Sequence, residues 1–125
     1  MARPLDMEAA LATYLTETLT AYAMPLPLDF DSHLPCALVT RTGGDTVSRV
    51  LNVHSVSVDV YAETWGEANE KASDVAGAIV GMVGETVGGK SVTETDCNVP
   101  YANPDPRHES VPRVTMTATI TVRGL

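Results

Sequence analysis

The chain has 125 residues and a formal net charge of −8, because 16 Asp and Glu face only 8 Lys and Arg. This length suits a single domain over 1–125 with its own hydrophobic core. The charge leaves no basic patch for non-specific binding to nucleic acid. The longest apolar run, 75–83, is far shorter than a membrane span of roughly 20 residues, so we expect no membrane association.

The first segment, 1–23, is predicted to be a helix. Its apolar and semipolar residues recur at helical spacing, namely Met7, Leu11, Tyr14, Leu15, Thr18, Leu19 and Tyr22. Such a stripe indicates a helix that lies against a sheet or a partner. Pro25 and Pro27 cannot continue the helix and end it near Tyr22.

The next two segments are predicted to form a β-hairpin over 36–61. Gly43 and Gly44 supply the turn, since glycine adopts positive φ without penalty. The returning strand alternates Val56, Val58 and Val60 with polar residues, which is the period of a strand with one buried face. Earlier apolar residues of this strand are out of step with the valines. A β-bulge near 52–54, or burial of both faces over the first half, would explain the change of phase.

A central helix is predicted over 64–83. Thr64 and Glu67 have the spacing of a capping box, and seven residues share one apolar face: Ala68, Ala72, Val75, Ala76, Ile79, Met82 and Val83. Two more strands are predicted within 92–123, joined by a proline-rich arm over 100–112. The predicted fold is therefore α+β, in the order α-β-β-α-β-β, with two helices packed on a small, four-stranded, mostly antiparallel sheet.

The last predicted strand alternates most regularly. Its apolar face holds Val114, Met116, Ala118, Ile120 and Val122, and its other face holds Thr115, Thr117, Thr119 and Thr121. The threonine face is either open to solvent or covered by the N-terminal helix. Cys36 and Cys97 are not in a CxxC spacing, and we interpret them as buried free thiols of a protein made in the cytoplasm, with a disulfide or a metal pair as the alternative.

Three motifs carry residues that occur in catalytic or binding sites, and none makes a complete constellation. Asp29, Asp31 and His33 alternate as metal ligands could, but further ligands would have to come from elsewhere, and a solvated polar loop explains the same residues. The strand 51–61 contains His54, Ser57 and Asp59, but a regular strand places His54 and Asp59 on opposite faces. The glycines at 88–89 lack the strand-turn-helix context of a phosphate loop. We predict no enzyme activity, no cofactor and no metal.

Assembly surfaces fit the sequence better. Gly77 and Gly81 on the outer side of the central helix would let another backbone approach, although a helix that merely tolerates glycine is the alternative. The proline-rich arm would lose little entropy on docking, although an ordinary surface loop is the alternative. The predicted interface residues are Tyr101, Asp105, Arg107, Arg113, Gly77, Gly81 and Trp65.

Several segments in this order resemble the tail terminator (tail completion) proteins of long-tailed bacteriophages. The resemblance is carried by Pro35–Val39, Val56–Ala62 and the alanine-rich helix that follows, then by Asn103–Pro106, Val111–Arg113 and Val114–Gly124. It implies a small α/β subunit without catalytic residues. Such subunits form a ring, usually a hexamer, at the head-proximal end of the tail tube.

The resemblance implies partners as well as a fold. They would be other copies of the chain, the major tail tube protein and a head-completion protein, within a virion assembled in the bacterial cytoplasm. Double-stranded DNA would pass through the ring without sequence-specific binding, helped by repulsion from the acidic subunit. The alternatives are another head–tail connector, a stopper or a minor tail protein, or a small-ligand-binding α+β domain with a polar pocket.

Overall fold

The computed structural model describes residues 5–48 and 50–123. Within them it contains two α-helices, a short 3₁₀ turn at Phe30–Ser32 and seven β-strands. The elements in chain order are α1 (Met7–Leu15), β1 (Thr20–Ala23), β2 (Cys36–Thr46), β3 (Leu51–Tyr61), α2 (Trp65–Val80), β4 (Thr86–Val87), β5 (Lys90–Cys97), β6 (Tyr101–Ala102) and β7 (Arg113–Arg123). No helix in the described ranges is long and apolar enough to cross a membrane.

The predicted four-stranded, mostly antiparallel sheet is wrong. The strands form one seven-stranded mixed sheet in the order β1-β2-β3-β7-β5-β4, and β6 pairs with β7 beside β5. β1 runs parallel to β2, while the other pairs are antiparallel. The sheet curls into a half-barrel, so that α1 contacts β2 on one side and the distant β4 on the other.

The N-terminal helix is much shorter than the predicted 1–23. The Asp6 carboxylate caps α1 by accepting from the Ala9 amide, and the helix ends at Leu15, where the Thr16 amide and hydroxyl both bond back to the Thr13 carbonyl. The chain then turns and becomes β1. The threonines and tyrosine of this stretch suit a strand, and pairing with Cys36–Val39 outweighs the helical spacing.

The two-residue strands β4 and β6 escaped prediction because two residues cannot display alternation. The turn between β4 and β5 depends on Gly88, which has a φ of +56°. A Cβ at this position would collide with the Leu5 side chain. Glycine therefore allows the turn and also lets the Leu5 side chain approach it.

The core lies on one face of the sheet, which we call the core face. The valines of β3 and the apolar residues of β7 project there and pack against α1 and α2. α2 begins at the Thr64 cap, whose hydroxyl accepts from the Glu67 amide at 3.1 Å. The helix ends at Val80, earlier than the predicted end at residue 83. Met82 is still buried, but Val83 is 53% exposed and does not belong to the apolar face on which it was predicted.

The opposite, outer face of the sheet is polar and largely open. α1 packs on the core face, so within this chain it does not cover the threonines of β7. Thr117 and Thr119 are exposed, whereas Thr115 is buried. Both cysteines are free, but only Cys36 is fully buried, while Cys97 is half-buried. Burial raises the pKa of the Cys36 thiol to about 11.

His54 explains the change of phase in β3. It occupies the core-face position before Val56, and it is 4% exposed. β3 itself pairs with β7 without a break, so the bulge predicted at 52–54 is not there. The irregularity lies opposite, in β2, where the pairing shifts between Arg41 and Gly43. The turn predicted at Gly43 and Gly44 is also wrong, because both glycines pair with β3 inside β2, which continues to Thr46. His54 Nε2 has no hydrogen-bond partner among the described residues, and burial, with the nearby Arg41 charge, lowers the pKa of this imidazole.

Replacing His54 by valine tests this placement. The pKa of His54 is lower in the folded state than in the unfolded chain, where it is about 6.5. The free energy of unfolding is therefore unaffected by His54 protonation above pH 6.5, and it falls as the pH decreases below that value. His54→Val removes that loss and the unpaired nitrogen, so we expect a gain of about 1–2 kcal/mol at pH 5.5 and a smaller change at pH 8. Urea unfolding at both pH values measures it. The exposed His33→Gln variant is the control, and an equal change at both pH values would contradict the placement.

Candidate interaction surfaces

The proline-rich arm is held against the sheet by one buried carboxylate. Asp105 is 8% exposed. It accepts hydrogen bonds from Tyr61 Oη at 3.2 Å and from the Arg107 amide at 3.0 Å. Its Oδ2 also lies 3.0 Å from His108 Nδ1 and 3.7 Å from the Arg113 guanidinium. The hydrogen bond with His108, supported by the other donors, lowers the pKa of Asp105 to about 2.

The two ends of the arm are fixed by the strand that follows it. Arg113 Nε donates to the Asn103 carbonyl at 2.6 Å, and the Asn103 amide donates to the Arg113 carbonyl at 3.0 Å. The Asn103 side chain donates to Thr115 Oγ1, which in turn donates to Asp59 at 2.6 Å. The arm is thus a loop whose two ends are hydrogen-bonded to each other at the start of β7. Its conformation is therefore fixed within the free subunit.

An aromatic cluster beneath the arm joins it to the proline-containing connector that precedes β2. The Phe30 ring packs edge-on against both Tyr61 and His108, each with a centroid distance of 4.8 Å. Cys36 and Leu38 complete this second small core. The connector and the arm therefore close one end of the outer face, with a cavity of about 440 Å³ between them.

The structure brings together three of the seven predicted interface residues. Asp105, Arg107 and Arg113 line the cavity between the arm and the connector. Only Arg107 among them is exposed, because Asp105 is buried and the Arg113 side chain is 17% exposed. The Asp105 carboxylate and the Arg113 guanidinium are thus engaged within the chain. Tyr101 lies apart from them in β6 and is 46% exposed.

The other three predicted residues lie over the opposite face of the sheet, with Trp65 and Gly77 in α2 and Gly81 at its C-cap. Trp65 begins the helix and is 42% exposed. A Cβ at Gly77 would meet nothing within 4 Å, and one at Gly81 would meet only carbonyls of its own helix. The outward side of α2 is therefore open in this chain. An interface role for all seven residues stays a prediction.

The motifs that resembled catalytic or metal sites are placed as follows. Asp29 and His33 form an exposed pair at 3.3 Å, and no group of three potential metal-ligating side chains occurs among residues 5–48 and 50–123. His54 faces the core, while Ser57 and Asp59 face the other way.

Sequence reasoning missed the residues that anchor the arm. Tyr61, His108, Asp59 and Thr115 were not predicted to hold the arm, because nothing in their local sequence marks them as its partners. The Tyr61–Asp105 bond spans 44 residues of chain. Only the topology, which sets the end of β3 beside the start of β7, brings them together.

Comparisons with known proteins give a likeness in fold. No protein-family model matches the sequence, and no curated protein matches it either. In structure, the chain is similar to a chain of "Virion of native gene transfer agent (GTA) particle", with a TM-score of 0.60 and 16% sequence identity. The likeness covers 94% of this chain and 95% of that one. The two chains therefore share one fold over nearly their whole lengths.

The role of Asp105 can be tested by substitution. In Asp105→Ala the arm loses its central acceptor, and Arg113 and His108 lose a charged partner. We expect a loss of about 1.5–3 kcal/mol in the free energy of unfolding, the usual range for hydrogen bonds to charged groups. We also expect cleavage within 103–112 by a low dose of protease, at least tenfold faster than in the parent.

The neighbouring exposed Glu109→Ala variant is the matched control, and Tyr61→Phe should give a smaller loss because it removes one bond. If the arm of Asp105→Ala resisted protease as the parent does, the carboxylate would not be its anchor.

Proposed function

We propose that the protein is a structural subunit of a phage virion. More narrowly, we propose that it is a tail terminator. In this role several copies, six by the resemblance, form a ring on the head-proximal end of the tail tube. The ring stops further tube polymerisation and joins the tail to the head-completion proteins.

The observation that carries the proposal is the fold shared with a chain of the gene transfer agent virion. Because the match covers nearly all of both chains, it describes a whole subunit rather than a common supersecondary motif. The sequence resemblance to tail terminators is independent of that comparison and supports the narrower role. At 16% identity the likeness supports a fold, and the function remains our inference from it.

The physical properties of the chain support an assembly role. A ring requires head-to-tail contacts between two different surfaces of each subunit, and such surfaces must keep their shape. The arm is anchored through Asp105 and Arg113, and the sheet is supported by two helices on one face. A subunit with a net charge of −8 would also repel DNA that passes through the ring. We propose that the protein acts through these surfaces and without catalysis.

Purified tail tubes provide the direct test. Tubes of the cognate major tail protein, incubated with this protein, should carry extra density at one end only, and capped tubes should stop growing when tube subunits are added. Negative-stain microscopy measures both. A gene deletion should yield tubes of unregulated length. Normal virions from the deletion would contradict the terminator role, and binding to head connectors without binding to tubes would favour a stopper.

A further inference from the structure

We propose that β1 of one copy pairs with β6 of the next, so that the sheets of neighbouring subunits join edge to edge. The occupant of each edge is thus a second copy of this chain. This inference rests on the proposed ring and specifies which surfaces close it. We call the two surfaces the β1 edge (Thr20–Met24) and the β6 edge (Val99–Ala102).

Both edges present free backbone. β1 is the end strand of the sheet and pairs only with β2. β6 pairs only with β7. On their other sides, neither strand has a backbone hydrogen-bond partner among the described residues. An unpaired strand edge is a template for pairing with another chain.

Pro100 leaves the β6 edge without a backbone N–H at that position, but neither edge is blocked by charge. Neither edge contains a charged residue, although charged side chains are a usual means of blocking edge-to-edge contact. Large apolar groups lie exposed there instead, with Met24 51%, Val99 83% and Tyr101 46% accessible. In so acidic a chain, two uncharged, apolar edges on opposite sides of one sheet point to contact with each other.

The other half of the sheet offers a contrast. There, among residues 5–48 and 50–123, the outer side of β2 at 42–46 has no strand partner, and β5 has none beyond Val92 on its β4 side. These edges carry Asp45 on one side and Glu94 and Asp96 on the other. The pairing registers place Asp45 and Glu94 at the same level through Val53 and Thr121. Like charges directly opposite each other destabilise strand pairing, so this half is protected.

The pairing registers also align the two proposed edges. Following the paired residues across the sheet, one row reads Tyr22, Leu38, Asp59, Thr115 and Tyr101, and the adjacent row reads Ala21, Ala37, Val60, Val114 and Ala102. The β1 and β6 edges therefore lie at the same level of the sheet, at its two opposite sides.

A shared level is what a closed ring needs. If the ring axis is parallel to the strands, neighbouring subunits are related by a rotation without any shift along the axis. Two edges that lie at the same level of the sheet therefore meet between neighbours. β1 runs with β2 and β7, while β6 runs against β7. The joint between copies is therefore antiparallel. It sets Tyr22 opposite Tyr101 and Ala21 opposite Ala102, and an aromatic cross-strand pair is stabilising.

The β6 edge is also held ready for this contact. Asn103, the next residue, is bonded to Arg113 in both directions, and the arm beyond it is anchored at Asp105. An edge that is ordered before docking loses less conformational entropy on association.

Cysteine cross-linking tests the joint. Ala21→Cys and Ala102→Cys are introduced singly and together. Cys97 is replaced by Ser so that it cannot cross-link, whereas Cys36 is kept because it is buried. Directly opposite residues of an antiparallel pair have Cα atoms about 4.5–5.5 Å apart, which a disulfide can span. Mild oxidation is followed by non-reducing electrophoresis, with the protein free at high concentration and bound to tubes.

The double variant should give a ladder of covalent oligomers, and a mixture of the two single variants should give dimers. Each single variant alone should stay monomeric. Ala21→Cys combined with Thr117→Cys, on the open outer face, is the matched control and should give no ladder. Dimers from a single variant alone would overturn the proposal in favour of a two-fold contact between identical edges.

A charge on the edge provides a second readout. Tyr101→Lys should weaken self-association, measured by analytical ultracentrifugation, at least tenfold, while Val83→Lys, also at an exposed apolar residue, should leave it unchanged. Tube capping separates this inference from the proposed function. Capping without any Ala21–Ala102 cross-link would overturn the edge pairing alone. Cross-linked rings that never cap tubes would support the pairing and contradict the terminator role.

Discussion

The structure depends on the complete pairing of β7. This strand bonds to β3 along all of its eleven residues, and on its other side it bonds to β5 and to β6. Its inward side chains fill the centre of the core against α2. A strand with partners on both sides and a buried face fixes everything attached to it, because a slip by one residue would turn its whole apolar set to the solvent.

The two helices close the core face within the same chain, and this determines which surfaces remain for other molecules. The outer face keeps Thr117 and Thr119 open, α2 and its C-cap present Gly77 and Gly81 outwards, and the β1 and β6 edges keep free backbone. The arm is fixed relative to these surfaces, because Asp105 contacts Tyr61 at the end of β3 and Arg113 at the start of β7. The proposed assembly function therefore needs no large rearrangement of the subunit.

Long, regular elements could be predicted from the sequence, whereas short and non-local ones could not. The alternation of β7 and the Thr64 cap of α2 are local patterns, and each appears in the structure. β1 was taken for helix because Thr18, Leu19 and Tyr22 continue the helical spacing of the apolar stripe, whereas its pairing with β2 is set by residues 16 positions away. His54 was considered only as part of an incomplete catalytic triad, yet it occupies a core position.

The candidate surfaces divide in the same way. Prolines and charges indicated an ordered arm. The sequence did not show that the Asp105 and Arg113 side chains make contacts within the chain that anchor it. The uncharged β1 and β6 edges emerge only once the pairing registers are known, because they lie about 80 residues apart in the chain.

Hydrogen–deuterium exchange of the free and the tube-bound protein tests the central claim, that the subunit works as a rigid sheet which joins others through its open edges. Amides of β7 should be protected in both states, and new protection on the tube should be concentrated in residues 20–24 and 99–102. Protection gained on α2 with both edges still exchanging freely, or a β7 that becomes protected only when bound, would contradict it.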